Sequence, residues 1–223
     1  MNPAKNIFFR LLTVILAVLT PLVIIMTSVR LLMTPAFLVA EYHMPGFPDD
    51  PYGFTMQERL KWSKISLTYL LNNSDISYFN SYKLDSGDPL YNDRELSHMD
   101  DVKVVVTNGR LFWLGTLVVW IAILLFLYLK NSLAGIKKAL NLGGWLTIGL
   151  MGLMGVTILL SFDALFTQFH NLFFESGTWT FYYSDTFIRL FPLRFWQDAF
   201  ILIAVLSVIF SLALIYAGKN KRS

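Results

Sequence analysis

Apolar residues along this chain gather into four long blocks separated by polar segments of very unequal length. Leu11–Val29, Leu111–Leu129, Ala139–Phe162 and Ala199–Gly218 contain no charged side chain. At about 1.5 Å of rise per helical residue, each block reaches across the roughly 30 Å hydrocarbon core of a bilayer. Lipid offers no partner to free backbone N–H and C=O groups, so a helix is the form such a block takes. The pattern predicts an all-α membrane protein with four transmembrane helices over residues 11–33, 109–129, 141–162 and 198–217. No small-residue cleavage site follows the first block, which reads as a retained span rather than a signal peptide. Thr20-Pro21 within it predicts a kink, because proline removes a helical hydrogen bond.

The polar segments carry their own periodicity. Thr55-Met-Gln-Glu58 has capping-box spacing. Leu60, Lys64, Leu67 and Leu71, broadened by Trp62, Ile65, Tyr69 and Leu70, continue an amphipathic helix that ends at Asn72-Asn-Ser-Asp75. Its apolar face suits the membrane surface or the top of a helix bundle. Before it, Leu31–Ala40 reads as a continuation of the first helix, and His43–Gly53 as irregular chain ordered by its aromatics. Residues 76–92 read as loop or short strand, and Leu96–Val106 as a helix leading into the second span. Gly143, Gly144, Gly149, Gly152 and Gly155 give the third span a small-residue stripe suited to close helix packing. Phe191-Pro-Leu-Arg-Phe-Trp196 has the composition of an interfacial anchor at the start of the fourth.

Charge adds an orientation. All fifteen acidic residues lie within Glu41–Asp101 or Asp163–Asp198. The amino-terminal segment, the Lys130–Lys138 connection and the Lys219–Arg222 tail carry bases and no acid. Four spans put those three segments on one side, and their basic excess assigns them, with both termini, to the cytoplasm. An extracytoplasmic loop-and-helix domain (38–108) and an aromatic outer loop (163–197) then share the other face. At 55% hydrophobic and 15% charged residues, the chain lies outside the composition of a soluble domain. No nucleic-acid partner is expected. The spans hold no charged group, which argues against a transporter. The absence of cysteine removes disulfides and thiol nucleophiles.

Candidate chemistry narrows to histidine, which titrates near neutral pH. His43 sits in the turn-rich segment and reads as structural. His98, in Glu95-Leu-Ser-His-Met-Asp-Asp-Val-Lys103, precedes the second span, and His170, in Gln168-Phe-His-Asn-Leu-Phe-Phe174, follows the third. The short connection makes those spans antiparallel neighbours about 10 Å apart, so both imidazoles reach one interfacial cleft. A loop histidine more often serves structure than chemistry; convergence shifts that balance. Asp101 is placed by helical spacing to orient His98, and Asp163 to orient His170; solvated charge is the competing reading for each. Asn171 adjoins His170 in sequence but diverges from it on a helix, which leaves its role open. Arg194 and Arg189 read as loop anchors or as contacts to lipid phosphates. There is no Gly-x-Ser-x-Gly elbow, glycine-rich phosphate loop or HExxH motif. A metal set of His98, Asp100, Asp101 and His170 lacks the spacing that marks one.

Four segments carry a resemblance: Tyr52-Gly-Phe54 before the amphipathic helix, the His-Met-Asp-Asp-Val-Lys run at 98–103, the Phe-His-Asn-Leu-Phe-Phe run at 169–174, and the Phe-Pro-Leu-Arg-Phe-Trp-Gln-Asp run at 191–198. Together they resemble the bacterial lipoprotein intramolecular transacylases over nearly the whole chain, with the two histidine runs as the specific part. The resemblance implies a four-span acyltransferase of the bacterial cell membrane, needing no cofactor and working at the outer leaflet among membrane lipids. Its implied substrate is a diacylated lipoprotein whose amino-terminal cysteine carries a thioether-linked diacylglyceryl group. The sn-2 acyl chain moves to the α-amine and leaves a lyso-form lipoprotein. Carried over by motif, the family's essential histidine pair falls on His98 and His170, one as base and the other as acid or electrostatic partner. Two rival readings stay open: a non-enzymatic membrane protein binding lipids or peptides through its outer domain, and a metal-dependent lipid hydrolase using the same histidines. Oligomeric state is not encoded in any of these patterns.

Overall fold

The computed structural model describes residues 3–219, so the basic tail beyond Lys219 lies outside the described residues. Among the described residues seven α-helices follow one another: α1 (Pro3–Leu32), α2 (Pro35–Tyr42), α3 (Met56–Leu71), α4 (Asp93–Leu129), α5 (Leu133–Phe173), α6 (Thr186–Leu190) and α7 (Leu193–Gly218). Among the described residues no strand forms beyond an isolated antiparallel bridge between Lys83 and Pro89. Helices α1, α4, α5 and α7 are long and apolar enough to cross a membrane. The all-α, four-span class predicted from the apolar blocks is therefore the observed one. Ser161, at φ −165° and ψ 97°, leaves the helical region, so α5 is two helices end to end. The chain divides into two compact units, one of residues up to Arg30, Arg110–Leu159 and Ile201 onward, the other of Leu31–Gly109 and Leu160–Phe200.

In the first unit, α1, α4 and α5 meet through Leu16, Ala17, Leu127, Ile136, Ala139 and Leu140. Hydroxyl groups are rendered compatible with an apolar setting by local bonds: Thr20 and Ser28 on α1, Thr147 on α5 and Ser211 on α7 each donate to the carbonyl four residues earlier. Trp120 and Trp113 donate from α4 to Thr20 and Thr27 of α1 at 3.0 and 3.1 Å. The α4–α5 turn closes on Asn131 at φ +56°, and Ser132 N–H reaches back to the Leu127 carbonyl at 2.9 Å. This is a left-handed helix cap, with asparagine in the place usually taken by glycine.

α1 runs on through Pro21 as helix. Proline there lacks the N–H that would bond to the Ala17 carbonyl. That carbonyl faces Gly143 of α5, where an added Cβ would lie 2.9 Å from it and 2.5 Å from Thr20 Cβ. Gly144 is equally tight: a Cβ there would lie 2.6 Å from Ile215 of α7. At Gly149, Gly152 and Gly155, by contrast, an added Cβ would meet nothing within 4 Å, so this part of the stripe does not mediate packing within the chain. Spacing puts glycines on one face; only the neighbouring helices decide whether the face is used. Gly143→Ala is expected to cost about 1–3 kcal/mol through overpacking. Gly152→Ala should be neutral or slightly stabilising, since helix propensity alone operates there. Unfolding midpoints in detergent check both.

The second unit departs from expectation first at its entrance. Beyond Leu32 the predicted continuation to residue 40 does not extend the first helix. α1 stops at Leu32, Thr34 accepts the Phe37 N–H as N-cap, and Pro35 opens α2 at a position where its missing N–H costs nothing. The capping box of Thr55 and Glu58 forms as the spacing predicts. However, α3 turns Arg59, Trp62, Ser63, Ser66 and Tyr69 inward, so its main face builds the core of this unit. The small serines let the helix approach closely, and Ser66 shares a 2.6 Å bond with Tyr91 OH. Lys103 of α4 holds the carboxyl end of α3 by donating to the carbonyls of Tyr69 and Ser74. Residues 76–92 form a 3-10 helix, Ile76–Ser81, and the bridged turn. Leu96–Val106 is helical as expected, within α4. The core cluster includes Trp62, Tyr69, Phe79, Tyr91, Met99 and Phe187.

Candidate active site

The site is built within the second unit, beginning with the cap of α4. Asn92 and Glu95 exchange bonds, Glu95 N–H to Asn92 Oδ1 at 3.1 Å and Asn92 N–H to Glu95 Oε2 at 2.9 Å. The other carboxylate oxygen of Glu95 accepts the Phe187 N–H at 2.6 Å, at the start of α6. Glu95 is 2% exposed, and burial pushes its carboxyl above the usual range. One buried side chain thus fixes the origin of α4 and the loop that carries Phe187.

One turn further along α4, His98 is 2% exposed. Its ring is enclosed by Phe174, Phe181 and Phe187, with centroids at 4.8, 5.3 and 5.4 Å. Its Nδ1 is buried without a hydrogen-bond partner among the described residues. Burial, and then the neighbouring His170, lower its pKa to about 4.

His170 lies nine residues past the break at Ser161, on the second helix of α5, and is 8% exposed. Its ring faces that of His98 at 6.3 Å with 24° between planes. Phe166, Trp179 and Phe174 surround it at 4.0, 4.8 and 5.6 Å. Phe174 therefore touches both imidazoles. His170 Nδ1 lies 2.8 Å from the Phe166 carbonyl oxygen. A carbonyl only accepts, so Nδ1 carries the proton, and in the neutral ring Nε2 is left with a free lone pair. Burial lowers the pKa of His170, opposed by the bond to Phe166. The result is an aromatic enclosure that holds two buried, uncharged imidazoles side by side at neutral pH.

The residues expected to support the pair do not do so. Asp101 is exposed and makes no hydrogen bond to His98: the helix turns His98 inward and Asp101 to solvent. Its neighbour Asp100 accepts instead from Tyr69 OH at 3.0 Å. Asp163 is exposed, and the Phe166 carbonyl occupies the ring nitrogen that a carboxylate would orient. Asn171 is exposed, about 100° around its helix from the buried His170. Arg194 pairs with Asp198 along α7. Arg189 bonds Asp50 at 2.9 Å and lies over Phe54, which makes it an anchor. His43 is exposed and bonded to its own helix at Val39. Among the described residues no three His, Asp or Glu side chains converge as a metal-binding set.

Sequence reasoning misses Glu95, Trp179, Phe181 and Phe187. Asn92-x-x-Glu95 has readable cap spacing, but nothing in it signals the second bond to Phe187. Trp179 sits in an aromatic loop without periodicity. Its Nε1 is buried and without a partner among the described residues, beside His170. A buried donor left unpaired in a native structure calls for an explanation.

Comparison with known proteins bears on this arrangement. The family model of the lipoprotein intramolecular transacylase Lit matches residues 14–196. An uncharacterised protein of Aquifex aeolicus is 29% identical over 211 residues, 94% of each chain. The membrane-integral lipoprotein intramolecular transacylase Lit from Bacillus cereus shares the fold at 20% identity and a TM-score of 0.78, over 95% of this chain and 94% of that one. A structure of the same Bacillus protein with one histidine replaced by arginine superposes with a TM-score of 0.73 at 19% identity, over 96% and 92% of the two chains. A match that begins in α1, ends in α7 and takes in both imidazole-bearing helices makes this chain a member of the lipoprotein intramolecular transacylase family.

Proposed function

We propose that this multi-pass membrane protein moves the sn-2 acyl chain of an S-diacylglyceryl cysteine onto the α-amine of the same cysteine, at the amino terminus of a bacterial lipoprotein. The observation that carries this reading is the pair of buried imidazoles, one of which has Nδ1–H committed to a backbone carbonyl. That commitment favours His170 as the base. The substrate α-amine has an ordinary pKa near ~8 and needs only a modest base to become and stay a neutral nucleophile. As it attacks the ester carbonyl carbon, Nε2 of His170 takes its proton. The tetrahedral oxyanion then accepts from N–H groups already in the pocket: the single N–H of neutral His98, and Trp179 Nε1–H. Collapse breaks the bond between the acyl carbon and the glyceryl sn-2 oxygen, which receives the proton held by His170. An ester becomes an amide, which is downhill, so no nucleotide is required. Nucleophile and ester belong to one molecule, and the aromatic walls need only fold them together and exclude water. The basic segments 5–10 and 130–138 support an arrangement with both termini in the cytoplasm and the histidines at the outer leaflet.

Incubation of the purified protein with a synthetic S-diacylglyceryl lipopeptide tests the reaction. Transfer leaves the parent mass unchanged, so fragmentation is the readout: N-acyl, S-monoacyl fragments and loss of amine reactivity are expected. Loss of one acyl chain with release of free fatty acid would instead establish a hydrolase and overturn the reading. Trp179→Phe keeps a ring against His170 and removes the N–H. It is expected to lower kcat about a hundredfold with little change in KM. An unchanged kcat removes Trp179 from the mechanism.

A further inference from the structure

The first unit carries a feature that acyl transfer does not use. Lys137, Lys138, Asn141 and Trp145 lie on one face of the opening turns of α5, where residues three and four apart are neighbours. With Gly218 and Lys219 at the end of α7 they line an open groove of about 660 Å³. Its base is held by direct backbone contact: a Cβ on Gly218 would lie 2.7 Å from the Lys137 carbonyl oxygen and 3.0 Å from Asn141 N. Only glycine allows α7 to approach α5 so closely, so the walls of the groove are fixed relative to each other. Lys137 and Asn141 are half-buried, Lys138 and Lys219 exposed.

The three lysines have no counter-charge within reach of their own unit. Every Asp and Glu of the chain belongs to the other unit, and the unit that holds the groove has none. Among the described residues none of the three lysines is in an ion pair, so the groove offers its charge to an anion from outside the chain. Lipid fits the surroundings better than a soluble anion. Trp145 is 57% exposed beside the lysines, and the neighbouring Leu142 and Leu146 are also exposed. An indole next to lysines at the end of a membrane helix is the combination that sits at headgroup depth. The volume lies within the range of small-molecule sites and admits a glycerophosphate headgroup.

We propose that this groove binds an anionic phospholipid, with Lys137, Lys138 and Lys219 on its phosphate and negatively charged headgroup and Trp145 against its glycerol and upper acyl chain. Asn141 offers a neutral donor to a headgroup oxygen. The site does not depend on the acyl-transfer reading, because none of its residues belongs to the unit that holds the histidines.

Native mass spectrometry of the full-length protein released from nanodiscs of mixed phosphatidylglycerol and phosphatidylcholine tests it. The wild type is expected to retain phosphatidylglycerol preferentially. Replacing Lys137, Lys138 and Lys219 together by Gln should weaken that retention on the order of a hundredfold, roughly fivefold per lysine. Lys130→Gln, which removes the same charge outside the groove, should leave it unchanged. Equal retention of the two lipids by the wild type, or undiminished phosphatidylglycerol on the triple variant, would overturn the proposal. The wild type alone supplies a second check. Its preference for phosphatidylglycerol should decline as ionic strength rises, and a preference indifferent to salt counts against it. Inorganic phosphate bound in detergent with the same lysine dependence, but without lipid preference in the nanodisc, would assign the groove to a soluble anion and overturn the lipid.

Discussion

His170→Ala is expected to reduce single-turnover acyl transfer by a factor of about 10²–10⁴, the usual worth of a positioned general base. Of the two facing imidazoles, His170 is the one whose proton location is decided by a neighbour: the 2.8 Å contact to the Phe166 carbonyl leaves Nε2 as the basic atom. The residual rate of the variant should rise with pH up to the amine pKa near ~8 and level off above it, because only the neutral amine attacks. His98→Ala should also be strongly impaired, but through loss of an N–H and of the walls formed by Phe174, Phe181 and Phe187. If the two residues act on one transition state, the double variant should be hardly worse than the worse single variant. Retention of more than a tenth of wild-type activity by His170→Ala would remove it as the base.

The second large effect is on stability. The pKa of His98 is about 4 in the folded protein and near ~6.5 in an unfolded chain, so between those values the unfolded state holds the extra proton. Stability contributed by the neutral buried ring is therefore complete above pH 6.5 and is lost as pH falls through the window to 4. The full loss is about 3 kcal/mol for a group this well buried. Glu41 works in the opposite sense. Burial, with Asp198 nearby, raises its carboxyl to about 7, so its contribution falls as pH rises from 4.5 to 7. The clean measurement is a comparison with His98→Phe at each pH, because both proteins share the Glu41 contribution. The wild type should lose about 3 kcal/mol relative to the variant between pH 6.5 and 4. Parallel pH profiles would mean that His98 is not held uncharged in the folded state. The same burial keeps both imidazoles neutral in the range where the enzyme is proposed to work.

Several elements are legible without any tertiary information, each for a local reason. The capping box of Thr55 and Glu58 involves atoms three residues apart, and it forms as spaced. The helix of residues 96–106 follows from its own periodicity. Where long-range contacts decide, the reading of single segments gives way. Thr34 and Pro35 are available as a helix start, yet continuation of α1 is the simpler reading of an apolar run. Asp101 is the right distance from His98 along the chain, and three helical residues leave the two side chains only about 60° apart around the axis. The edge of the core falls within that angle, with His98 buried and Asp101 exposed, and only the packing against other elements places the edge there.

The sequence by itself determined the four helices, the separation of basic from acidic segments and the two histidines worth attention. Hydrophobic periodicity, charge and capping act over a few residues, and their outcomes can be read from a few residues. Only the tertiary structure decided that Gly143 and Gly144 pack while Gly149, Gly152 and Gly155 do not, and that Glu95 ties α4 to α6. It also decided which ring nitrogen of His170 is protonated, and that Trp179 lies buried beside it. Those features depend on what a side chain meets from distant parts of the chain. Burial, proton location and an unpaired donor are properties of a packed environment, and no residue carries them alone.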